Sequence, residues 1–318
     1  MTSKWTSIPV PAGMMMAITA NEDGILFSAC FSQDTSKNTS QVSVQMYMNG
    51  SWSDIGQGIG VPSSAVFVFI ATAGRQLYLC VDNTVYIYYY TSWIKIGSWS
   101  NVTCTGLFIG SDGAPYVQVY DSNLTVYKFS GSPVGTQSWE EIMTMPLGSS
   151  NYGPIIGWDF SCLLDGEDNL YAAICDTVNM NGPAWLGEWT SPSSLDFTLV
   201  SHGSGNASRT AAAFNGSGVP HLVYMTATST ETLQSVIGKG STVVSTGITS
   251  AGASGVVAAA VNGTVYAGMG NQVAVASDGA WTVIPDLPGV TQIYWMFGGG
   301  DTLYVASMAH IAAYPAAS

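Results

Sequence analysis

The residues best equipped for chemistry are aromatic, amide and carboxylate side chains near the ends of short apolar runs. Trp158-Asp159, Asn179 with Trp185, Tyr294-Trp295, Trp99 and Tyr152 form this set. Flat rings stack on the C–H faces of sugars, and planar amides or carboxylates pair with hydroxyls, so the set points to binding of neutral glycans. Tyr120, Asp176 and Asn271 occupy similar positions. Trp158 and Trp295 also head apolar runs, where an indole is equally suited to packing between elements.

Catalytic constellations are sparse. His202, His221 and His310 are far apart, and G-x-S-x-G, H-E-x-x-H and phosphate-loop patterns are absent from the sequence. Glu140-Glu141 are neighbours in a strand-like run, so they point to opposite faces and cannot pair as acid and base. Asp165-Gly166-Glu167-Asp168-Asn169 is the densest oxygen cluster. It suits a calcium ion or an ordinary acidic turn, and lacks the alternating acidic spacing of a calcium loop. No catalytic residue is assigned, no metal or cofactor is expected, and whether the protein is an enzyme stays open.

A second set is apolar. Met14-Met15-Met16, Val66-Phe67-Val68-Phe69, Leu107-Phe108 and Tyr294-Trp295-Met296 open successive runs. If those ends converge they could enclose a hydrophobic small molecule, since methionine adapts to irregular apolar shapes. Ordinary packing between elements is the other reading. Cys30, Cys80, Cys104, Cys162 and Cys175 lie in apolar runs without C-x-x-C spacing, as buried reduced thiols do. Cys162 and Cys175 flank one turn and could pair, although a turn at Asp165–Asp168 would set Cys162 nearer Tyr171 than Cys175.

Composition narrows the field. The 318 residues carry 7 Lys+Arg against 20 Asp+Glu, a net charge of −13, and only 8% are charged, against about 25% in a typical domain. That excludes a cationic footprint for nucleic acid or anionic lipid. The 47% hydrophobic content argues against disorder, and no apolar run reaches the length of a membrane-spanning helix. The start, Met1-Thr2-Ser3-Lys4-Trp5, does not read as a signal peptide. Seven asparagines nevertheless open N-x-S/T sequons: Asn38, Asn49, Asn101, Asn123, Asn206, Asn215 and Asn262. That excess leans toward secretion, with a cytoplasmic location as the alternative; Asn-Gly-Ser/Thr is also good turn chemistry.

These residues must be held by repeating elements. Trp-x-x-Ile recurs at Trp5–Ile8, Trp52–Ile55, Trp93–Ile96, Trp139–Ile142 and Trp281–Ile284, with relaxed copies at Phe197–Val200 and near Val243-Val244. The spacing averages roughly 46 residues. Interleaved with it are glycine-containing turns before short β-type runs, such as Asp23-Gly24, Gly74-Arg75, Asp112-Gly113, Asn262-Gly263 and Gly300-Asp301. One unit reads as strand a (256–261), an Asn-Gly turn, strand b (264–268), strand c (272–276), an Asp-Gly turn and strand d (281–284). The seventh unit stops before its Trp-x-x-Ile, and the chain opens with that missing piece.

The expected fold is therefore all-β: a seven-bladed β-propeller of four-stranded blades, residues 1–318 forming one domain. The N-terminal strand completes the last blade and protects its edge. In such a ring the d–a and b–c loops share one end, where the candidate residues fall, and the a–b and c–d turns share the other. The repeating tryptophans are expected to be packing staples.

The grammar of Val261-Asn262-Gly263-Thr264-Val265-Tyr266, Gln272-Val273-Ala274-Val275-Ala276 and Trp281-Thr282-Val283-Ile284-Pro285 resembles tectonin-type repeats and, more broadly, fungal and invertebrate propeller lectins. The resemblance implies binding of glycans. No polar residue recurs in all seven units, which departs from lectins that repeat one site per blade. The leading expectation is a carbohydrate-binding propeller. The alternative is an enzyme or carrier that holds a neutral apolar molecule in a central pocket, without metal or nucleotide. A scaffold for protein interactions is a third.

Overall fold

The computed structural model describes residues 4–34, 39–62, 67–121, 123–146, 158–176, 182–190, 197–226, 228, 230–285 and 287–316. They form seven four-stranded antiparallel sheets, a seven-bladed β-propeller. By contacts the chain divides into two compact units, Pro9–Pro146, and Met1–Ile8 with Leu147–Ser318.

The first unit holds three blades. In strand order a to d they are Met14–Ala20, Leu26–Asp34, Thr39–Met48 and Ser51–Val61; Val68–Ala73, Gln76–Val81, Thr84–Tyr89 and Ser92–Ser98; Thr103–Ile109, Pro115–Tyr120, Asn123–Gly131 and Gln137–Pro146. The second unit holds four. They are Trp158–Leu164, Leu170–Asp176, Trp185–Trp189 and Phe197–His202; Ala207–Phe214, Pro220–Thr226, Glu231–Ile237 and Val243–Ser250; Val256–Val261, Thr264–Met269, Gln272–Ser277 and Ala280–Ile284; and a last blade of Trp295–Gly299, Thr302–Ala306 and Ile311–Pro315. Thr6–Ile8 supplies that blade's strand d, with Thr6 opposite Ala313 and Ile8 opposite Ile311. The closure expected from the chain ends is present.

Strands b of the second, fifth and sixth blades are buried almost throughout, which helps explain the low charge. In the second blade Leu77, Leu79 and Val81 pack on the first blade, while Tyr78 and Cys80 pack on the third. In the fifth, Leu222 and Tyr224 face the fourth blade, and Val223 and Met225 face the sixth. Side chains alternate along a strand, so a strand between two sheets is apolar at most positions.

The recurring tryptophans are staples of a particular kind. Trp5 is buried in the core between the sixth and last blades. Trp52 and Trp139 are half-buried, and each indole N–H donates to a backbone carbonyl, Pro9 O at 2.6 Å and Ile96 O at 2.7 Å. Glycines of the preceding blade's strand d make room for the rings. A Cβ at Gly56 would lie 3.0 Å from Trp93 Nε1, and one at Gly97 would lie 2.5 Å from Trp139 Nε1.

Turn chemistry also accounts for most sequons. Asn49, Asn101, Asn206 and Asn262 adopt positive φ (54°, 63°, 68° and 50°), the left-handed region that asparagine tolerates. Asn215 caps its own turn, its Oδ1 accepting from Ser217 N at 3.0 Å and Val219 N at 2.9 Å. None of the five cysteines, all of them described, forms a disulfide. Cys162 lies opposite Ala172 and Cys175 opposite Asp159 in the a–b ladder of the fourth blade, which keeps that pair apart.

Candidate functional site

The second unit holds a cavity of about 570 Å³ where the strands a of the fourth, fifth and sixth blades run into their a–b turns. Its wall is Leu163, Leu164, Ala212, Phe214, Ala258 and Ala260, with Asp165, Asn215 and the glycines of the turns at the rim. Small residues on neighbouring inner strands leave the space that larger side chains would fill.

The turns fix the rim. Asn262-Gly263 is a two-residue hairpin with φ of 50° and 74°, the geometry that matches the twist of its strands. Asp165 and Asn215 each nucleate a five-residue Asx turn. Gly216 N donates to Gly263 O at 2.9 Å and ties the fifth turn to the sixth. A Cβ on Gly216 would lie 2.9 Å from the Gly263 Cα, so both positions require glycine. Asn262 Nδ2 donates to Asp301 Oδ1 at 2.9 Å and links the sixth turn to the last blade.

Asp165 is the one carboxylate among the described residues that line this cavity, and its oxygens are engaged. Oδ1 accepts from the amides of Glu167 (2.9 Å) and Asn169 (3.0 Å). Oδ2 accepts from Asn169 Nδ2 at 2.9 Å and the Tyr171 hydroxyl at 3.3 Å. Burial raises the Asp165 carboxyl, but the hydrogen bonds from Asn169, Glu167 and Tyr171 outweigh it and hold the group below the usual carboxylate range. Burial, with Glu188 and Asp165 nearby, pushes the Tyr171 phenol up to about 12. Tyr171 packs edge-on against Phe214, with ring centroids 4.7 Å apart. The acidic cluster is thus organised as a capped turn. Among the described residues no group of three or more His, Cys, Asp or Glu is arranged to hold a metal ion.

The described ligand-binding candidates, Trp99, Trp158, Asp159, Trp185, Tyr294 and Trp295, are not among the residues that line this cavity. Trp99 follows strand d of the second blade and packs on Tyr127 (5.4 Å) and Trp139 (5.0 Å), against the core shared with the third blade. Trp185 opens strand c of the fourth blade, half-buried and opposite His202. Trp158 and Asp159 begin strand a of that blade, opposite Asp176 and Cys175. Tyr152 and Asn179 lie outside the described residues. Tyr294 and Trp295 are brought together, with ring centroids 5.7 Å apart. Tyr294 is 43% exposed and Met308, in the b–c loop of the same blade, 54%. Met14 and Phe67 are likewise exposed where strand a begins, whereas Met15 is buried.

The cavity wall was invisible in the sequence as a site, because alanine and glycine carry no chemical signal. The only available hint was the alanine run of strand a in the fifth and sixth units, Ala211–Ala213 and Ala258–Ala260.

The sequence matches no protein family and no curated protein. Solved structures share the fold. One is a catalytically inactive virginiamycin B lyase from Staphylococcus aureus with Quinupristin, at TM-score 0.64 and 10% identity, covering 97% of this chain and 98% of that one. Another is YCF48 bound to D1 peptide, at TM-score 0.64 and 10% identity, covering 100% and 98%. The Dos1 propeller aligns at TM-score 0.59 and 8% identity, covering 98% and 94%. At such identities the likeness establishes the β-propeller fold and nothing about activity.

Proposed function

We propose that the protein binds a neutral, largely apolar small molecule against the inner strands of the fourth, fifth and sixth blades. The observation that carries this reading is the wall itself. About 570 Å³ is bounded largely by alanine, leucine and phenylalanine side chains, with Asn215 and turn glycines at the rim, and the one carboxylate among its described lining residues is saturated by the protein. Ligand pockets of drug-sized molecules span about 300–1,000 Å³ and are predominantly apolar. A charged ligand would lose its hydration here and gain no free counter-charge. Similar folds solved with Quinupristin and with a D1 peptide support ligand binding by this architecture in general.

The test uses a neutral fluorescent probe such as Nile red and a panel of apolar metabolites that displace it. Ala260 is an exposed residue of the wall, so Ala260→Trp fills the space with little strain on the core. Dissociation constants should rise at least about tenfold, equivalent to about 1.4 kcal/mol, with the unliganded melting temperature unchanged. Binding that survives Ala260→Trp removes the proposal.

A glycan-binding reading has one specific observation behind it. Tyr294 offers an exposed ring beside Trp295, with the Gln292 amide two residues before it. With the tectonin-like repeat grammar, this supports stacking of a sugar at the strand-a entrance of the last blade. A positive glycan array lost in Tyr294→Ala, and retained in Ala260→Trp, would favour it over the apolar cavity.

A further inference from the structure

A second cavity lies within the first unit, where strand b of the second blade turns into strand c. It measures about 430 Å³ and is lined in part by Val61, Phe67, Asp82, Asn83, Tyr86 and Thr103. Phe67, immediately before strand a, is 49% exposed. Asp82 sits at φ 52° in the turn, and three bonds pin it. Its amide donates to Phe67 O at 2.7 Å, its carbonyl accepts from Cys104 N at 2.9 Å, and its Oδ1 accepts from Phe67 N at 2.9 Å. The carboxylate is therefore tied to the Phe67 backbone in a cavity that Phe67 and Tyr86 also line, and among the described residues Oδ2 has no partner. No lysine or arginine is among the described lining residues, and the chain carries a net charge of −13.

We propose that this cavity binds a small organic ammonium ion with an apolar body. The ammonium group pairs with Asp82 Oδ2 in a charge-assisted hydrogen bond. The apolar body lies against Phe67, Tyr86 and Val61, where the two ring faces also attract positive charge. An anion is repelled by the same carboxylate, and a neutral molecule forfeits the ion pair. The inference is independent of the apolar cavity in the other unit.

Isothermal titration of the full-length protein with 2-phenylethylamine and its neutral counterpart 2-phenylethanol tests this directly. Asp82→Asn is the informative variant. Asparagine accepts the left-handed conformation, and its Oδ1 still accepts the Phe67 amide, so only the charge is removed. The amine should bind saturably and about tenfold more tightly than the alcohol. Its affinity should fall about tenfold in Asp82→Asn, fall as sodium chloride is raised, and stay unchanged in Ala260→Trp. A circular dichroism melt confirms that Asp82→Asn is folded. Equal affinity for amine and alcohol, an amine affinity untouched by Asp82→Asn, or no saturable amine binding overturns the proposal.

Discussion

Gly97→Ala isolates the device that holds the blades together. Gly97 lies in strand d of the second blade without positive φ, so alanine brings no backbone strain of the left-handed kind. The whole effect must come from the added Cβ. It would sit 2.5 Å from Trp139 Nε1, 2.9 Å from Cε2 and 3.1 Å from Cζ2 of the third blade's staple. The indole has nowhere to retreat cheaply. Its N–H is bonded to Ile96 O at 2.7 Å, and its ring contacts Trp99 and Phe129 at centroid distances of 5.0 and 5.2 Å. Overpacking costs about 1–3 kcal/mol, and loss of the indole hydrogen bond about 1 kcal/mol. A destabilisation of about 2–4 kcal/mol is expected, read from urea unfolding followed by far-UV circular dichroism. A double-mutant cycle with Trp139→Leu sharpens the claim, because without the indole the Cβ has no obstacle. Gly97→Ala should then be nearly neutral, and the coupling should exceed about 1 kcal/mol. A neutral Gly97→Ala in the wild-type background, or additivity within about 0.5 kcal/mol, would refute the staple argument.

Two further predictions concern the second unit. Gly263→Ala places a Cβ 2.9 Å from the Gly216 Cα at a residue with φ of 74°; strain and overlap together should cost about 2–4 kcal/mol, measured by the same unfolding assay, and a cost under about 0.5 kcal/mol would contradict the fixed-rim geometry. His221 is buried edge-on to Trp281, with centroids 5.8 Å apart, and its Nδ1 has no partner among the described residues. Burial pushes its imidazole below the ordinary value, so the unfolded chain takes up the proton first. Stability is then complete above about pH 6.5 and declines as pH falls below that value, by at most about 1.4 kcal/mol per pH unit. Wild type should therefore lose more stability between pH 7.5 and 5 than His221→Leu, and parallel curves would rule this out.

The fold was legible because its signals are local and repeated. Asn262-Gly263 dictates a tight hairpin wherever it stands, and seven spaced copies of a turn and an aromatic anchor leave few architectures. The pairing of Thr6–Ile8 with Ile311–Ala313 followed from counting strands alone. Trp99 shows what the sequence leaves out. Its aromatic character suits a ligand platform, yet Tyr127 and Trp139 of the next blade, 28 and 40 residues away in sequence, come to pack on it. The apolar cavity was beyond reach for a different reason. It exists because Ala212, Ala258 and Ala260 are small, and the alanine runs that contain them show slender strands without showing which strands come to face one another. Asp82 was equally silent, since only the fold sets its carboxylate beside Phe67.

The most direct test of the central claim is a crystal structure of the protein soaked with the tightest neutral apolar ligand from the displacement panel. Ligand density is expected against Ala212, Phe214, Ala258 and Ala260, beneath the linked Gly216 and Gly263 turns. Density at Tyr294 and Trp295 instead, with that wall bare, would contradict the account.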